Sequence, residues 1–273
     1  MRVLPHPGLR IDRGRRTARG LLGVLVGEGR WEREGDGGRR QRIVVEGVAW
    51  VVQSVGVDPS FFERVAERRG LVGELRREGI ADERVLRAIE RVPRHAFVPV
   101  ESGGEAYVDG PLPIGRGQTI SQPWIVARMT EALELGGGER VLEIGTGCGY
   151  QTAVLAELAR EVFTIELEEV LGVAARERLG RLGYGNVEFW IGDGSGGWPE
   201  AAPFDAILAA AAPARIPPRL LDQLARGGRL CMPVGDDVRD QELVVVHKRS
   251  DGTLARTSLG GVRFVPFRAK PGS

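Results

Sequence analysis

The spacing of apolar residues changes character near residue 120, and the change marks two kinds of structure. On the near side, Val65, Val72 and Leu75 fall on roughly one helical face until Gly79 ends the run. Ahead of it, Ser60-Phe61-Phe62-Glu63 fits a capping box, in which Ser60 accepts from a free helix N–H and Glu63 reaches back. Asp82 is placed to cap a second helix, whose Val85, Leu86, Ile89 and Val92 keep helical spacing as far as Pro93. A Pro- and Gly-rich passage from Val98 to Gly117 then reads as extended chain. Past Pro123, Ile125, Met129 and Leu133 recur every four residues, as one face of a helix requires. Short apolar runs follow at Val141–Ile144, Val162–Ile165, Val187–Ile191, Ala206–Ala210 and Arg229–Val234, each read as a strand, the first of them buried. Helical stretches lie among them, over Gln151–Leu158, up to Leu182, and over Pro218–Ala225. This alternation predicts a parallel sheet, because parallel neighbours need a crossover connection. Leu243–Lys248 and Gly261–Phe267, on either side of Asp251-Gly252, predict a closing antiparallel pair. The expected class is α/β: a doubly wound, mostly parallel, Rossmann-like sheet with helices on both faces and an antiparallel C-terminal strand pair.

Composition changes this picture only at the N-terminal end. With 42% hydrophobic and 27% charged residues, most of the 273-residue chain is ordinary globular protein. The net charge of +1 conceals an asymmetry: residues 1–42 hold 11 Arg, 5 acidic residues and 9 Gly, so they carry +6 and the remainder −5. That segment is expected to be a partly disordered, solvated arm, with a tail for an anionic partner as the alternative. Ile43–Val57 is rich in Val and reads as a strand or hairpin. Overall charge points to neither a nucleic-acid nor a membrane partner. No apolar run approaches the ~18 residues of a membrane span. Cys148 and Cys231 stand in unrelated contexts and no Cys/His cluster suggests a metal, so a reducing cytoplasm is the expected compartment.

The chemistry is concentrated where strands end. Val141 to Tyr150 reads VLEIGTGCGY, a strand entering a glycine turn and then a helix. A dinucleotide site would have G-x-G-x-x-G, with the pyrophosphate on the helix N-terminus. Here the pattern is G-x-G-x-G, and bulky Tyr150 takes the place of a close-packing glycine. Glu143, just before the turn, suits a cationic amino-acid moiety better than a pyrophosphate. Glu166 closes the next strand, where an acid can accept from both hydroxyls of a ribose. Asp193, followed by Gly194, closes the third and can accept from an adenine amino group. Acids after three successive strands describe a nucleoside with a positively charged tail, which S-adenosylmethionine is. The run from Gly192 to Gly197, GDGSGG, imitates a serine-protease nucleophile loop, but an extra Gly separates Asp from Ser and the fold class is wrong for it.

A second concentration runs from Pro111 to Pro123, PLPIGRGQTISQP. Ser121 is expected at a helix N-terminus, where free N–H groups and the dipole favour an anion, and Thr119 and Ser121 add hydroxyls to make a carboxylate cradle. A plain N-cap is the alternative role for Ser121.

These stretches, with Arg91–Pro99 (RVPRHAFVP), Trp198-Pro199, Gly227–Leu230 and Pro233–Gly235, resemble the protein-L-isoaspartate O-methyltransferase family over roughly Phe62 to Phe267. The resemblance implies a class I methyltransferase that uses S-adenosylmethionine, and no metal, to esterify the α-carboxylate of L-isoaspartyl residues, and by extension the free carboxylate of D-aspartyl residues, in damaged proteins. It puts the active-site serine on Ser121, with Thr119 beside it on the substrate. Cofactor contacts fall on Glu143, Gly145, Thr146, Gly147, Cys148, Gly149, Glu166, Asp193, Gly194 and Gln241. Residues 1–58 would be an extension, 59–120 a substrate-side segment and 121–273 the cofactor-binding core. Departures from the family pattern are Cys148 for Ser, Ala210 for Thr and Gly110 for a basic residue. A methyltransferase with another acceptor, a nicotinamide oxidoreductase (disfavoured by Tyr150 and Glu143) and a non-catalytic cofactor-binding module are the rival readings.

Overall fold

Two units make up the chain in the computed structural model, which describes residues 58–268 and the backbone of three earlier strands. Those strands, β1 (Arg30–Arg33), β2 (Gln41–Val45) and β3 (Val48–Val52), form an antiparallel meander in which Ile43 stands opposite both Trp31 and Trp50. The rest of the expected arm over 1–58 lies outside the described residues.

The second unit begins with paired helices, and the first of them starts later than its sequence suggests. Ser60 caps nothing: its N–H and hydroxyl both bond the Asp58 carboxylate, at 3.0 and 2.6 Å, inside a 3-10 turn over Pro59–Phe62. The helix α1 (Val65–Arg77) opens instead after Arg64, which is left-handed at φ 53°. The capping-box reading fails because Ser60 sits in a separate 3-10 turn and the helix opens only after Arg64. At the other end Gly79, at φ 96°, turns the chain and the Ile80 N–H reaches back to the Leu75 carbonyl at 3.0 Å. Asp82 does cap α2 (Glu83–Arg91), accepting the Arg84 and Val85 N–H groups at 2.7 and 3.4 Å.

Val98–Gly117 is less extended than expected. It contains a 3-10 turn over Val100–Glu105 and the first strand of a hairpin, β4 (Leu112–Gly115) and β5 (Gln118–Ile120). Arg116 and Gly117, both at positive φ (55° and 68°), make the kind of tight turn that matches hairpin twist. Helix α3 (Pro123–Ala132) follows, with Ile125, Met129 and Leu133 all buried.

The main sheet has seven strands in the order β12-β11-β10-β9-β6-β7-β8. Strands β6 (Arg140–Ile144), β7 (Glu161–Glu166), β8 (Val187–Ile191), β9 (Phe204–Ala209) and β10 (Leu224–Val234) are parallel, with β11 (Gln241–Lys248) and β12 (Leu254–Val262) antiparallel beyond them. Helices α4 (Tyr150–Ala156), α5 (Glu169–Arg181) and α6 (Pro218–Gln223) supply crossovers. Leu142, Ile165, Ile207, Leu230 and Val244, from five adjacent strands, are all fully buried, which is why the strands read as continuous apolar runs. Chain order reverses between β6 and β9, and the crevice outside the carboxyl ends of the strands at such a point is where open α/β sheets bind ligands.

One strand is not where its pattern put it. The partner of β11 is Leu254–Val262, not Gly261–Phe267. As an outer edge strand, β12 needs ladder hydrogen bonds but no apolar face, and most of its residues are exposed. The apolar VRFVPF run is thereby released to fold back: the Ala212 N–H donates to Val265, and the Phe267 N–H donates to Ala212, each at 2.9 Å. No helix among the described residues is long and apolar enough to cross a membrane.

Candidate active site

Beyond Ile144 the chain turns on three glycines at positive φ, Gly145 (93°), Gly147 (55°) and Gly149 (90°), conformations that side-chain-bearing residues resist. The Gly145 N–H is held by the Ile165 carbonyl at 2.9 Å, so the turn is anchored to β7. A Cβ on Gly149 would come within 3.0 Å of a Leu179 methyl, so this residue lets α5 pack closely against the turn. The close-packing glycine missing at position 150 is therefore supplied one residue earlier. Tyr150 is itself buried, edge-on to Phe97 at 5.6 Å and beneath the Arg94 guanidinium at 4.7 Å. Thr146 is buried against Thr164, their hydroxyls 2.6 Å apart. Cys148 is buried as a free thiol, which burial pushes above its usual pKa, and its carbonyl accepts from Arg178 at 2.7 Å.

Glu143 lies behind the turn, out of the cavity, wholly buried. One of its carboxyl oxygens accepts from the Thr152 and Thr164 hydroxyls at 2.6 and 2.7 Å, while the other has no partner. The cationic-tail contact expected of it is not what this geometry arranges. Burial raises its pKa to about 8; the two hydroxyls oppose the shift and the Glu166 charge adds to it. The folded protein thus keeps a proton on Glu143 at pH values where the unfolded chain has lost it. Stability should fall as pH rises from about 4.5 to about 8 and level off above. In urea titrations across that window, Glu143→Gln should show a slope against pH flatter by at least about 1 kcal/mol in total; parallel wild-type and variant profiles would contradict it.

Glu166, at the end of β7, is buried but reaches the cavity wall. Its two oxygens accept the Gly147 N–H at 2.7 Å and the Glu168 N–H at 2.9 Å, which fixes the carboxylate against the turn. After β8, Asp193 accepts the Ser195 N–H at 2.8 Å and shapes the 3-10 turn that brings Gly194 to the wall. A Cβ on Gly194 would lie 2.5 Å from an Ile144 methyl, so no larger residue fits there. Gln241 is buried and clasps the backbone of Phe264, accepting its N–H at 2.6 Å and donating to its carbonyl at 3.2 Å. Its amide is thus spent on holding the fold-back segment.

The opposite wall comes from the hairpin and the start of α3. Thr119 is exposed and Ser121 half-buried, and both line the cavity with Gln118 and Trp124. The N-cap is Gln122, not Ser121, and its own side chain makes no capping bond. The Ser121 hydroxyl has no hydrogen-bond partner among the described residues, so it is available to a ligand. The helix end, however, already has its anion: Asp109 accepts the Trp124 N–H at 2.8 Å. A carboxylate cradle must rest mainly on the hydroxyls, and the expected share of the free N–H groups is reduced.

The cavity between these walls measures about 930 Å³ and is closed on a third side by residues 261–268. That third wall is not legible in the sequence, where the same residues have the pattern of a strand. Ala210 also lines the cavity, 3.6 Å from where a Cβ on Gly145 would stand.

The family profile described as protein-L-isoaspartate(D-aspartate) O-methyltransferase matches residues 66–271. The protein-L-isoaspartate O-methyltransferase of Myxococcus xanthus is 55% identical over 204 residues, covering 74% of this chain and 96% of its own length. This chain belongs to the protein-L-isoaspartate(D-aspartate) O-methyltransferase family. A second relative, from Syntrophobacter fumaroxidans, is 54% identical over 207 residues, 76% of this chain and 96% of its own. Among solved structures, a protein-L-isoaspartate O-methyltransferase superposes with a TM-score of 0.67 at 30% identity, covering 75% of this chain and 67% of its own. A beta-aspartate methyltransferase from Plasmodium falciparum, solved in complex with S-adenosyl-L-homocysteine, gives 0.64 at 26% identity, with 74% and 98% covered. The family's seven-stranded methyltransferase fold is thus the one built here. An isoaspartate methyltransferase must hold a nucleoside donor and a peptide carboxylate together. The cavity offers an anchored acid and an open glycine turn on one wall and hydroxyls on the other, with a volume within the ~300–1,000 Å³ of small-molecule sites.

Proposed function

We propose that this chain methylates the free α-carboxylate of L-isoaspartyl residues, and the free side-chain carboxylate of D-aspartyl residues, in damaged proteins, and that Ser121 orients that carboxylate. The methyl ester can close to a succinimide and reopen partly as normal aspartate, which makes the reaction the first step of repair. The observation that carries the reading is a cavity lined by Gly145, Gly147 and Glu166 together with Thr119 and Ser121. When bound, S-adenosylmethionine supplies a methyl group on a positively charged sulfur, open to displacement by a carboxylate oxygen. Glu166 would accept from the ribose hydroxyls with the lone pairs its two backbone contacts leave over, and Asp193 and Gly194 would border the adenine. Glu143, Thr146, Cys148 and Gly149 would act from behind, by holding the turn in shape. A carboxyl group with a pKa of about 4 is already ionised at neutral pH, so the site needs no general base. The work left for the protein is to hold the attacking oxygen in near-attack geometry, and the Ser121 hydroxyl is the group placed to do it. Buried free thiols at Cys148 and Cys231 suit a reducing cytoplasm.

The test is methyl transfer from labelled S-adenosylmethionine to one peptide carrying isoaspartate, beside the same peptide carrying aspartate. Base-labile label on the isoaspartyl peptide alone is expected. Label on neither, with cofactor binding intact, would shift the reading to another acceptor or to a binding module.

A further inference from the structure

Arg94 has no exposed surface at all, although arginine is among the residues least often buried. Its guanidinium reaches three separate pieces of the site. Nε donates to the Ala106 carbonyl at 2.9 Å, and Nη2 donates to the Ser121 carbonyl at 2.8 Å and, more loosely, to Gly110 at 3.5 Å. The same group lies 4.7 Å above the ring of Tyr150, the first residue of the helix that leaves the glycine turn. A planar fork of fixed donors can tie such pieces together where a flexible ammonium cannot. Burial lowers the Arg94 pKa, with Tyr150, Cys148 and Asp109 among the groups that oppose the shift.

Three residues beyond Ser121 the chain is held a second time. Asp109 accepts the Trp124 N–H at 2.8 Å with one carboxylate oxygen, and the Gln122 side-chain amide at 3.4 Å with the other. Gly110, which accepts loosely from Arg94, is the neighbour of Asp109, so the two grips are tied together through one short stretch of chain.

We propose that Arg94 and Asp109 are positioning residues that clamp the backbone at Ser121 and just beyond it, and so set its hydroxyl at a fixed distance from the glycine turn. This rests on the role assigned to Ser121 above. Arg94 links the Ser121 carbonyl to the helix that begins at the turn, and so joins the two halves of the site through one side chain. Asp109 fixes the direction in which α3 leaves, and with it the orientation of residue 121. Neither side chain needs to touch substrate. Their effect is on geometry at the moment of transfer, where a displacement of about 1 Å can cost on the order of a hundredfold in rate.

The experiment is a double-mutant cycle on methylation of the isoaspartyl peptide, read as kcat and KM separately. Arg94→Lys keeps the charge and loses the fork; Asp109→Ala removes the second grip from a half-buried site and serves if Arg94→Lys does not fold. Each is expected to lower kcat about tenfold, with peptide KM and the Kd for S-adenosylhomocysteine changed less than about threefold. In a Ser121→Ala background each should lower kcat by less than about twofold, because the group being positioned is gone. Losses that multiply in full, with Ser121→Ala itself impaired, would overturn the clamp and mark both residues as merely structural. A fully active Ser121→Ala would instead overturn the role of Ser121, and the clamp with it.

Discussion

Ser121→Ala should turn over isoaspartyl peptide about a hundredfold more slowly while binding S-adenosylhomocysteine within about twofold of wild type. The size follows from what the residue is asked to do. A lone hydroxyl that orients an already ionised nucleophile contributes through alignment, and misplacing a reacting atom by about 1 Å costs on the order of a hundredfold. Cofactor affinity should survive because Ser121 belongs to the wall opposite Glu166 and the glycine turn, and makes no hydrogen bond to either. The fold should survive as well, since the Ser121 hydroxyl has no internal partner to lose and the grip of Arg94 is on its carbonyl. Single-turnover methyl transfer, paired with calorimetric titration of S-adenosylhomocysteine, separates the two quantities. Undiminished turnover would remove Ser121 from the reaction. A methyl- or acyl-serine adduct on the wild-type enzyme would change its role from orienting group to nucleophile.

Glu166→Gln should weaken S-adenosylhomocysteine binding about a hundredfold, roughly 2.7 kcal/mol. In wild type both carboxylate oxygens accept from backbone N–H groups, Gly147 at 2.7 Å and Glu168 at 2.9 Å. A glutamine has only one acceptor oxygen, so one of those N–H groups would face an amide donor. The variant therefore loses a charge-assisted bond, worth about 1.5–3 kcal/mol, and loosens the turn beside it. With peptide saturating, kcat at saturating cofactor should stay within about threefold. Unchanged affinity would mean that the carboxylate only braces the turn and that nucleoside hydroxyls are bound elsewhere.

Much of this architecture could be read from residue order because buried parallel strands need apolar side chains on both faces. β6, β7 and β9 begin and end within two residues of their apolar runs, and the exposed edge strand β8 coincides with Val187–Ile191, whereas β10 starts five residues early, at Leu224, where a helix was expected. The elements that went astray obey constraints invisible to periodicity. β12 is held by its ladder and shows little pattern, whereas the apolar segment after it looks like a strand and is used as a wall. Ser60 had the right spacing for a cap but sits in a separate 3-10 turn, ahead of a helix that opens only after Arg64. The hairpin hid behind Pro111 and Pro113, which discourage a strand assignment. In the site, the glycines and Glu166 were legible because a turn at positive φ and an acid at a strand end leave direct traces in sequence. Arg94 left none. It is one of 36 arginines, and only folding distinguishes it by taking it out of water.

The third wall has a consequence for the order in which the molecule comes into being. Every strand of the main sheet is translated before Arg263, yet the cavity is bordered by residues up to Arg268. A chain that stopped at Val262 would therefore hold every strand of the sheet with the donor site still an open trough, closed only when Phe264 is present to be clasped by Gln241. A message cut short just after β12 would yield a protein that folds its sheet and presents Ser121 to solvent, with the nucleoside side left without its cover.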